Sequence, residues 1–385
     1  MGKCMRVILS EGHDGSGPLQ ALCAPPNRCG SPAPSYSPAA HSKTPMKDTH
    51  VEAILRDPSV RSAIPGLSLA VLRDGEITFV DAFGHRGAHH ARPVDTDTVF
   101  EAASLTKPLV SFIAMQLAEE GQLDLAATLQ SICGSRIPDD PRAGQITATH
   151  VLTHTSGLPN IVTAQAPLRT HFAPGARFSY GSSAFSWLQR AMETVSGQSL
   201  DVLARERVFD RFAMHSSSLQ WEERFEANHA QGHEMDGSPV PKRRPAVPAA
   251  SWSLTTTARD YAHFVRAVLR GEGLSAPMHA RWLTPAVWAT RGIDDVQADS
   301  PETQDDVAWG LGWGLEPSQG CFFHWGHMPG FRAFVMGHPA TKDAVVWFAN
   351  SARGLRLGRS ILPAVIPGRH EAMDWLQVAR TLQEP

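Results

Sequence analysis

Ser104 and Lys107 stand three residues apart in the sequence SLTK, at the start of an apolar segment with helical spacing. This spacing places the hydroxyl and the amine on one face of a helix, within hydrogen-bonding reach. A serine becomes a useful nucleophile when a neighbouring base takes its proton, and a lysine whose pKa is lowered in a dry pocket is such a base. The helix N-terminus adds positive potential where an alkoxide or oxyanion would form. The pair is a candidate for nucleophilic catalysis.

Tyr180 and Ser182 form a second candidate group. They belong to a YGS sequence that follows PGARF on a predicted loop before a helix. A phenol beside a lysine can act as an acid or a base, and a hydroxyl two residues further on can orient a substrate. By itself, Tyr-x-Ser is uninformative.

A third group, HWGH, lies at the end of a predicted strand. A glycine at position 326 lets a substrate approach the backbone, and the amide of His327 could donate a hydrogen bond to an oxyanion. His324 and Trp325, which precede Gly326, are the other candidate substrate-binding residues of this group. The group is weak alone and gains meaning from the other two.

The hydrophobic pattern predicts a mixed α/β fold in which both ends of the chain build one sheet around an inserted, mostly helical region. Two apolar strands flank Asp74-Gly75, a strong hairpin signal. The apolar spacing that begins at Ser104 and ends at Gly121 indicates a helix of about 17 residues. Further helices are predicted in VEAILRD, ATHVLTH, SSAFSWLQRAMETVSG, SLDVLARERVF, TTTARDYAHFVRAVLRG and near 355–365, and strands in LGWGLEP, GCFFHWG, FRAFVMGHP and DAVVWFANS. We expect one domain over 46–385, with 46–102 and 248–385 carrying the sheet and 103–247 mostly helical.

Composition is that of a globular protein, since 42% of the 385 residues are hydrophobic and 19% are charged. The net charge of -3 gives no basic excess, so nucleic acid is not an expected partner. No apolar run approaches the roughly 18 residues of a membrane helix, so no membrane span is expected.

Residues 1–45 are rich in Pro, Ser and Gly and predict a disordered or non-native extension. Three of the five cysteines fall there, so a disulfide framework is not expected. The apolar run after MGKCMR is too short for a signal peptide, which predicts a cytoplasmic protein. If the true start differs, the periplasm or secretion is the alternative.

In this order the three groups match the SxxK, Tyr-x-Asn/Ser and Lys/His-x-Gly motifs of serine β-lactamases and penicillin-binding proteins. The sequence resembles the class C β-lactamase-like serine hydrolases, a family that also contains DD-peptidases, D-aminopeptidases and carboxylesterases. The resemblance runs from about Val51 to Ala352 and includes VFEAASLTK, HVLTHTSGLP, PGARFSY, TTTARDYAHF, GLGWGL and HWGHMPGF. It implies a β-lactamase/transpeptidase-like fold, an antiparallel sheet flanked by helices, and no cofactor.

The resemblance also implies roles for single residues. Ser104 would be the acylated nucleophile, Lys107 its proton partner, and Tyr180 the second base and leaving-group acid. The backbone amides of Ser104 and His327 would form the oxyanion hole. The loop HVLTHTSGL, with His154, would pack near the site as a structural element.

Three departures from the usual motifs favour a neutral ester or small amide over an anionic substrate. His324 replaces a permanently charged lysine with a group that ordinarily titrates near 6.5. Trp325 removes a small hydroxyl that commonly contacts a substrate carboxylate, and Ser182 replaces an asparagine that would hold an acyl amide. We therefore expect a serine hydrolase that acts through an acyl-enzyme on a small-molecule ester or amide.

Other functions remain open at this point. A β-lactamase or a D-amino-acid peptidase would use the same residues, and an acyltransferase would pass the acyl group to an acceptor other than water. A catalytically silent ligand-binding or scaffold protein is the alternative from a different class. The physiological substrate and the oligomeric state are not predicted.

Packing in the core could account for two further apolar patterns. The sequence Gly66–Ala70 approximates a GxSxG-type elbow, but it lies in an apolar hairpin strand, so we expect Ser68 to pack rather than react. Trp309, Trp313 and Trp325 could form an apolar wall for an acyl group or could simply pack in the core.

Two histidine pairs have spacings seen in metal sites, His150 with His154 and His324 with His327. No HExxH or paired CxxC sequence accompanies them, and 18 histidines make chance pairs common. No metal site is therefore expected.

Overall fold

The computed structural model describes residues 48–87 and 90–378, so the extension predicted for residues 1–45 lies outside the described part. All described residues belong to one compact unit. The strands are β1 (Gly66–Arg73), β2 (Glu76–Gly87), β3 (His90–Pro93), β4 (Phe100–Glu101), β5 (Thr255–Thr256), β6 (Val287–Thr290), β7 (Thr303–Trp309), β8 (Gly314–Glu316), β9 (Cys321–Met328), β10 (Phe331–His338) and β11 (Asp343–Ala349). The α-helices are α1 (Thr49–Arg56), α2 (Pro58–Ala63), α3 (Thr106–Glu119), α4 (Leu129–Cys133), α5 (Ala148–Leu152), α6 (Phe185–Ser196), α7 (Leu200–Ala204), α8 (Ala258–Arg270), α9 (Ala276–Trp282), α10 (Gly358–Val365) and α11 (Glu371–Trp375).

The sheet combines strands from both ends of the chain. In the described part, nine strands pair antiparallel in the order β3-β2-β1-β11-β10-β9-β8-β7-β6, and β4 pairs with β5 separately. The predicted mixed α/β fold with one antiparallel sheet and helices is confirmed. The finer division of the chain at residues 102 and 248 stays a prediction.

The hairpin between β1 and β2 turns where the sequence predicts it. Asp74 and Gly75 have φ angles of 50° and 76°, and two successive positive φ angles characterise the tight turn whose twist matches paired strands. On its other side β1 pairs with β11, with Leu67 opposite Ala349. This pairing joins the first strand of the domain to the last.

Both faces of the sheet are covered. Leu67, Leu69 and Val71 of β1 pack in the core that contains α1 and α10, while Ala70 and Leu72 pack in the core that contains α3 and α8. Alternate residues of a strand point to opposite faces, so a strand with two covered faces is apolar throughout. Ser68 is fully buried within this strand, in agreement with the packing role expected for it.

Helix α3 is buried along most of its length, from Thr106 to Leu117. It is shorter than the predicted helix of about 17 residues, because a 3-10 turn at Ala103–Leu105 precedes it. Pro108 explains this start. A proline lacks the N–H of a regular helical turn and is tolerated in the first turn, which is where α3 places Pro108.

The hydrophobic pattern missed the helices α2, α4, α9 and α11 and the strands β3, β4, β5, β6 and β7. In β7 only Val307, Ala308 and Trp309 are buried, while the first half of the strand is polar and largely exposed. Such a strand lacks the regular alternation that sequence patterns detect. None of the helices in the described ranges has the length and apolar content needed to cross a bilayer.

A buried ion pair attaches the C-terminal segment to β8. His370 donates from Nδ1 to Glu316 and from Nε2 to the carbonyl of Ile366, both at 2.8 Å, and the amide of Ala372 donates to Glu316 at 2.8 Å. Burial opposes the charge on His370, but Glu316 outweighs it and the pKa of His370 is raised. Cys321 Sγ also lies within 4.8 Å of these ligand-type atoms. Because the carboxylate and the imidazole are already hydrogen-bonded, the cluster is accounted for as a structural ion pair.

Candidate active site

Ser104 and Lys107 meet at the N-terminal end of α3, as their spacing predicts. Lys107 Nζ lies 2.9 Å from Ser104 Oγ and donates a hydrogen bond to the carbonyl of Ser251 at 3.0 Å. Ser104 is partly exposed, whereas Lys107 is fully buried. The amine can therefore reach the hydroxyl only from inside the protein, and a substrate can reach the hydroxyl only from outside.

The turn that presents Ser104 is held in an uncommon backbone conformation. Ala103 has a φ of 50°, in the left-handed region that non-glycine residues rarely adopt. Thr106 Oγ1 donates to the carbonyl of Ala103 at 2.7 Å and accepts from the amide of Leu254 at 3.0 Å. One threonine thus ties the strained turn to the segment that also supplies the Ser251 carbonyl.

Burial lowers the pKa of Lys107 well below its ordinary value of 10.5, and no carboxylate of the described residues offsets that effect. The amine instead faces aromatic rings, at 5.0 Å from the centre of Tyr180 and 5.3 Å from that of Phe185. A buried amine without a counter-ion favours the neutral form. A neutral amine has a lone pair that can accept the Ser104 proton.

The Tyr180 ring is clamped between two other rings. The centre of His154 lies 4.2 Å away and that of Trp325 lies 4.7 Å away, with interplanar angles of 31° and 36°. Burial raises the pKa of Tyr180, the Asp294 carboxylate adds to the rise, and the nearby Ser104 hydroxyl opposes it. Tyr180 Oη makes no regular hydrogen bond to the described residues. The phenol is therefore held in place, its raised pKa favours the protonated form, and its buried hydroxyl has a hydrogen bond left to make.

His154 supports the Tyr180 loop. Its Nδ1 accepts a hydrogen bond from the amide of Gly181 at 3.0 Å, and its own φ is 54°. Burial and the nearby Lys107 lower the pKa of His154 well below 6.5. The side chain is thus a neutral, buried support, consistent with the structural role expected for this loop.

His324 corrects one expectation. The sequence predicts a group that titrates near 6.5, but His324 is fully buried, and burial together with Lys107 lowers its pKa to about 3. Its Nδ1 donates to the carbonyl of Trp325 at 2.9 Å. The ring lies 6.2 Å from the centre of Tyr180 and does not line the cavities at Ser104 described below. His324 therefore brings no positive charge to the site.

Gly326 lets β9 approach the turn before the nucleophile. A Cβ at this position would lie 2.3 Å from the carbonyl oxygen of Ala102, a distance that real Cβ atoms do not reach. The pairing of β9 with β8 ends at Phe323, so on that side the Trp325–Met328 segment borders the Ser104 turn, while its other side stays paired with β10. The close approach of the Ala102 backbone therefore explains why the residue at position 326 has to be small.

Two cavities meet at Ser104, with volumes of about 380 and 310 Å³. They share Ser104, Asn160, Ile161 and His327. The first is mainly apolar, and its other lining residues include Val162, Ala249, Ala250, Trp252 and Met328. The second adds Tyr180, Ile293, Asp294 and Trp325.

Ser182 and Asn160 connect the two cavities to Asp294. Ser182 Oγ donates to Asn160 Oδ1 at 2.7 Å, and Asn160 Nδ2 donates to Asp294 Oδ2 at 2.9 Å. Sequence reasoning identified Ser182 but missed Asn160 and Asp294. Asn160 immediately follows the HVLTHTSGLP phrase and could have been found there, whereas Asp294 lies on the β6–β7 loop, where no motif marks it.

The structure also locates the tryptophans and the histidine pairs that the sequence singled out. Trp309 and Trp313 are fully buried and line neither cavity, so packing accounts for them, whereas Trp325 lines the second cavity. His150 accepts from the backbone amide of Thr147 at the start of α5. Neither histidine pair belongs to a group of three metal-ligating side chains in the described ranges.

Comparison with known proteins identifies the family. The Beta-lactamase family model matches residues 51–366, so the chain belongs to the β-lactamase family, whose members are serine hydrolases. The recognised resemblance is thereby confirmed.

Among curated relatives, the chain is 29% identical to penicillin-binding protein 4 of Amycolatopsis lactamdurans, over 70% of this chain and 74% of that protein. It is 20% identical to protein flp of Staphylococcus aureus, over 78% of this chain and 62% of that protein. The chain thus spans less than two thirds of the length of flp.

Two solved structures share the fold. The octameric penicillin-binding protein homologue from Pyrococcus abyssi has a TM-score of 0.66 and 20% identity, over 79% of this chain and 73% of that one. The D-alanine carboxypeptidase AmpC from Burkholderia cenocepacia has a TM-score of 0.67 and 21% identity, over 82% of this chain and 99% of that one.

The Gly326→Ala variant tests whether the close approach of β9 to the Ser104 turn is needed for activity. In Gly326→Ala the new methyl group meets the Ala102 carbonyl, so β9 or the Ser104 turn must move. We expect kcat/KM for an ester to fall by about tenfold or more, since small displacements of reacting groups are costly, while the far-UV circular dichroism spectrum is preserved. Gly144→Ala is the matched control, because a Cβ there meets only the flexible Gln130 side chain. Equal activity of the two variants would contradict the positioning role of Gly326.

Proposed function

We propose that this protein is a serine hydrolase that acts through an acyl-enzyme on a neutral carboxylic ester or small amide. The observation that carries the proposal is the contact of Lys107 Nζ with Ser104 Oγ at 2.9 Å, made by a buried amine without a carboxylate partner among the described residues. Burial favours the neutral form of such an amine, which can act as a base, and Ser104 opens onto both cavities. The base, the nucleophile and the space for a substrate are thus together.

In the proposed acylation step, Lys107 takes the proton of Ser104, and Oγ attacks the carbonyl carbon of the ester. Negative charge then develops on the carbonyl oxygen. The backbone amides of Ser104 and His327 are the proposed donors to this oxyanion. Collapse of the tetrahedral intermediate breaks the bond to the leaving group and leaves the acyl group on Oγ.

Tyr180 is the proposed acid for the leaving group. Because its pKa is raised, the phenol carries its proton at neutral pH and can pass it to the departing oxygen while it recovers one from protonated Lys107. Water then attacks the acyl-enzyme with the same groups acting in reverse. The raised pKa of Tyr180 disfavours a phenolate in the resting protein.

The charges around Ser104 support a neutral substrate. No lysine or arginine is among the described residues that line the two cavities, and Asp294 places a carboxylate at the second. His324 is neutral because of its burial. A substrate carboxylate would thus meet a negative charge and no permanent positive one. The apolar first cavity suits a short acyl chain or an apolar alcohol.

A peptidase or β-lactamase is the second candidate function. It is supported by the relatives, since similar proteins are named penicillin-binding protein 4 and D-alanine carboxypeptidase. A substrate with a free ammonium group, such as a D-amino-acid amide, would be compatible with Asp294. An acyltransferase, or a silent ligand-binding protein, would share the fold but differ in turnover with water as the acceptor.

The nucleophile and base can be tested by hydrolysis of p-nitrophenyl butyrate. We expect Ser104→Ala to lower kcat/KM by about 10³-fold or more and Lys107→Met by about 10²- to 10⁴-fold, because the base is lost. Lys342→Met, at an exposed lysine, should behave as wild type. Persistent hydrolysis by Ser104→Ala would show a different nucleophile. If wild type is inert yet is labelled at Ser104 by a fluorophosphonate, the ester substrate is wrong but the nucleophile is right.

The charge preference can be tested with two esters of the same acyl length. We expect wild type to hydrolyse p-nitrophenyl butyrate at least about tenfold faster than mono-p-nitrophenyl succinate, whose acyl chain ends in a carboxylate. Asp294→Asn should narrow this ratio by about threefold to tenfold by accelerating succinate hydrolysis. Asp295→Asn is the neighbouring control, because Asp295 does not line either cavity. If this ratio is unchanged in Asp294→Asn, Asp294 does not contribute to the preference for the neutral ester.

A further inference from the structure

A third cavity, of about 430 Å³, shares no lining residue with the two cavities at Ser104. It lies between the β2–β3 edge of the sheet and the loop segments around residues 226–231 and 242–244. Four cationic side chains line it, namely those of Arg86, Arg92, Lys242 and Arg244. Its volume is within the range of small-molecule sites.

Carboxylates offset only part of this charge. Glu226 accepts two hydrogen bonds from Arg244, at 2.6 and 2.9 Å, and Glu101 lies 3.3 Å from Lys242 Nζ. In the described part of the chain, Arg86 and Arg92 have no ion pair within 4.0 Å, although the charge of Arg86 helps to lower the pKa of Asp95, which shares the Asn228 side chain with it. The cavity therefore keeps about two positive charges without a contacting counter-ion.

The cations are crowded around one aromatic ring. Lys242 Nζ lies 5.0 Å and the Arg244 guanidinium 5.3 Å from the centre of Trp221, and the His229 ring lies 5.3 Å from it. Burial lowers the pKa of His229 and of Lys242, and the charge of Arg244 lowers both further, whereas the Glu101 carboxylate favours the charged form of Lys242. The positive groups thus repel one another, and an anion in the cavity would relieve that repulsion.

Several donors are already fixed in position. Arg86 donates to the carbonyl of Ala227 at 2.8 Å and to Asn228 Oδ1 at 2.9 Å, which holds its guanidinium in place. Arg86 Nε is buried without a regular hydrogen bond to the described residues, and the buried Lys242 Nζ has the Glu101 carboxylate at 3.3 Å. A preorganised group of charged donors is the arrangement that binds phosphate oxygens.

We propose that this cavity binds a small molecule carrying a phosphate or diphosphate group, at a site separate from Ser104. The guanidinium groups of Arg86 and Arg92 and the amine of Lys242 would contact the oxygens. His229 and Gln231, which also line the cavity, would border the rest of the molecule. The inference does not depend on the proposed hydrolase function, because no residue is common to the two sites.

The probe is inorganic pyrophosphate, titrated into the full chain by isothermal calorimetry at fixed ionic strength and pH 7.5. We expect saturable binding of one pyrophosphate per chain. Arg92→Gln should weaken the affinity by about tenfold, and Arg92→Glu should weaken it further, because a charge-assisted contact is lost and then replaced by repulsion. Arg92 is exposed and has no described ion pair, so both variants should fold and should hydrolyse p-nitrophenyl butyrate at the wild-type rate.

Arg281→Gln is the matched control, since Arg281 is an exposed arginine on α9 outside the cavity. It should bind pyrophosphate as wild type does. Absence of saturable binding to wild type would overturn the proposal. Equal weakening by Arg92→Gln and Arg281→Gln would also overturn it, because this result would show non-specific attraction to surface charge.

Discussion

The contact between a buried amine and a partly exposed hydroxyl is the constraint on which the rest of this structure depends. Lys107 is enclosed on all sides, and it has no carboxylate partner in the described chain to keep it charged. Burying an unpaired ammonium is costly, so the neutral amine is favoured. The surrounding rings of Tyr180, Phe185 and His324 exclude water and carry no charge at neutral pH. A neutral amine at this position is what the proposed role of Lys107 as a base requires.

This arrangement needs segments that are far apart in sequence. Ser104 and Lys107 come from the start of α3, Tyr180 from the loop before α6, and Gly326 from β9. The Thr106 side chain ties the Ser104 turn to Leu254, and Gly326 allows β9 to lie against Ala102. The antiparallel sheet brings the two ends of the chain together, and the helical segments place Tyr180 against Trp325. Loop residues such as Asn160 and Asp294 then line the cavities at Ser104 together with His327 of β9.

Sequence reasoning predicted the mixed α/β fold, six of the nine sheet strands and most helices, and it singled out the three motif groups, because these depend on hydrophobic periodicity and on local spacing. It could not assign the environment of each group. His324 looks like a titratable replacement for lysine, and only its full burial shows that it is neutral. Asn160 and Asp294 carry no motif, and their position at the cavities follows from loop packing. Because half of β7 is polar, its pattern did not predict a strand. The positive φ angle of Ala103 could not be predicted, because alanine is a residue type that rarely adopts it.

Measuring the pKa of Lys107 is the most direct test of whether its amine is neutral and can accept the proton of Ser104. Carbon-13 labelling at Cε of lysine would give few signals, since the chain has only six lysines, and Lys107→Met would assign the relevant one. We expect this signal to titrate far below 10.5 and kcat/KM for ester hydrolysis to rise with pH through the same midpoint, because the base must be deprotonated. A Lys107 signal that stays cationic up to pH 10 would rule out Lys107 as the base, since a charged amine cannot accept the proton of Ser104.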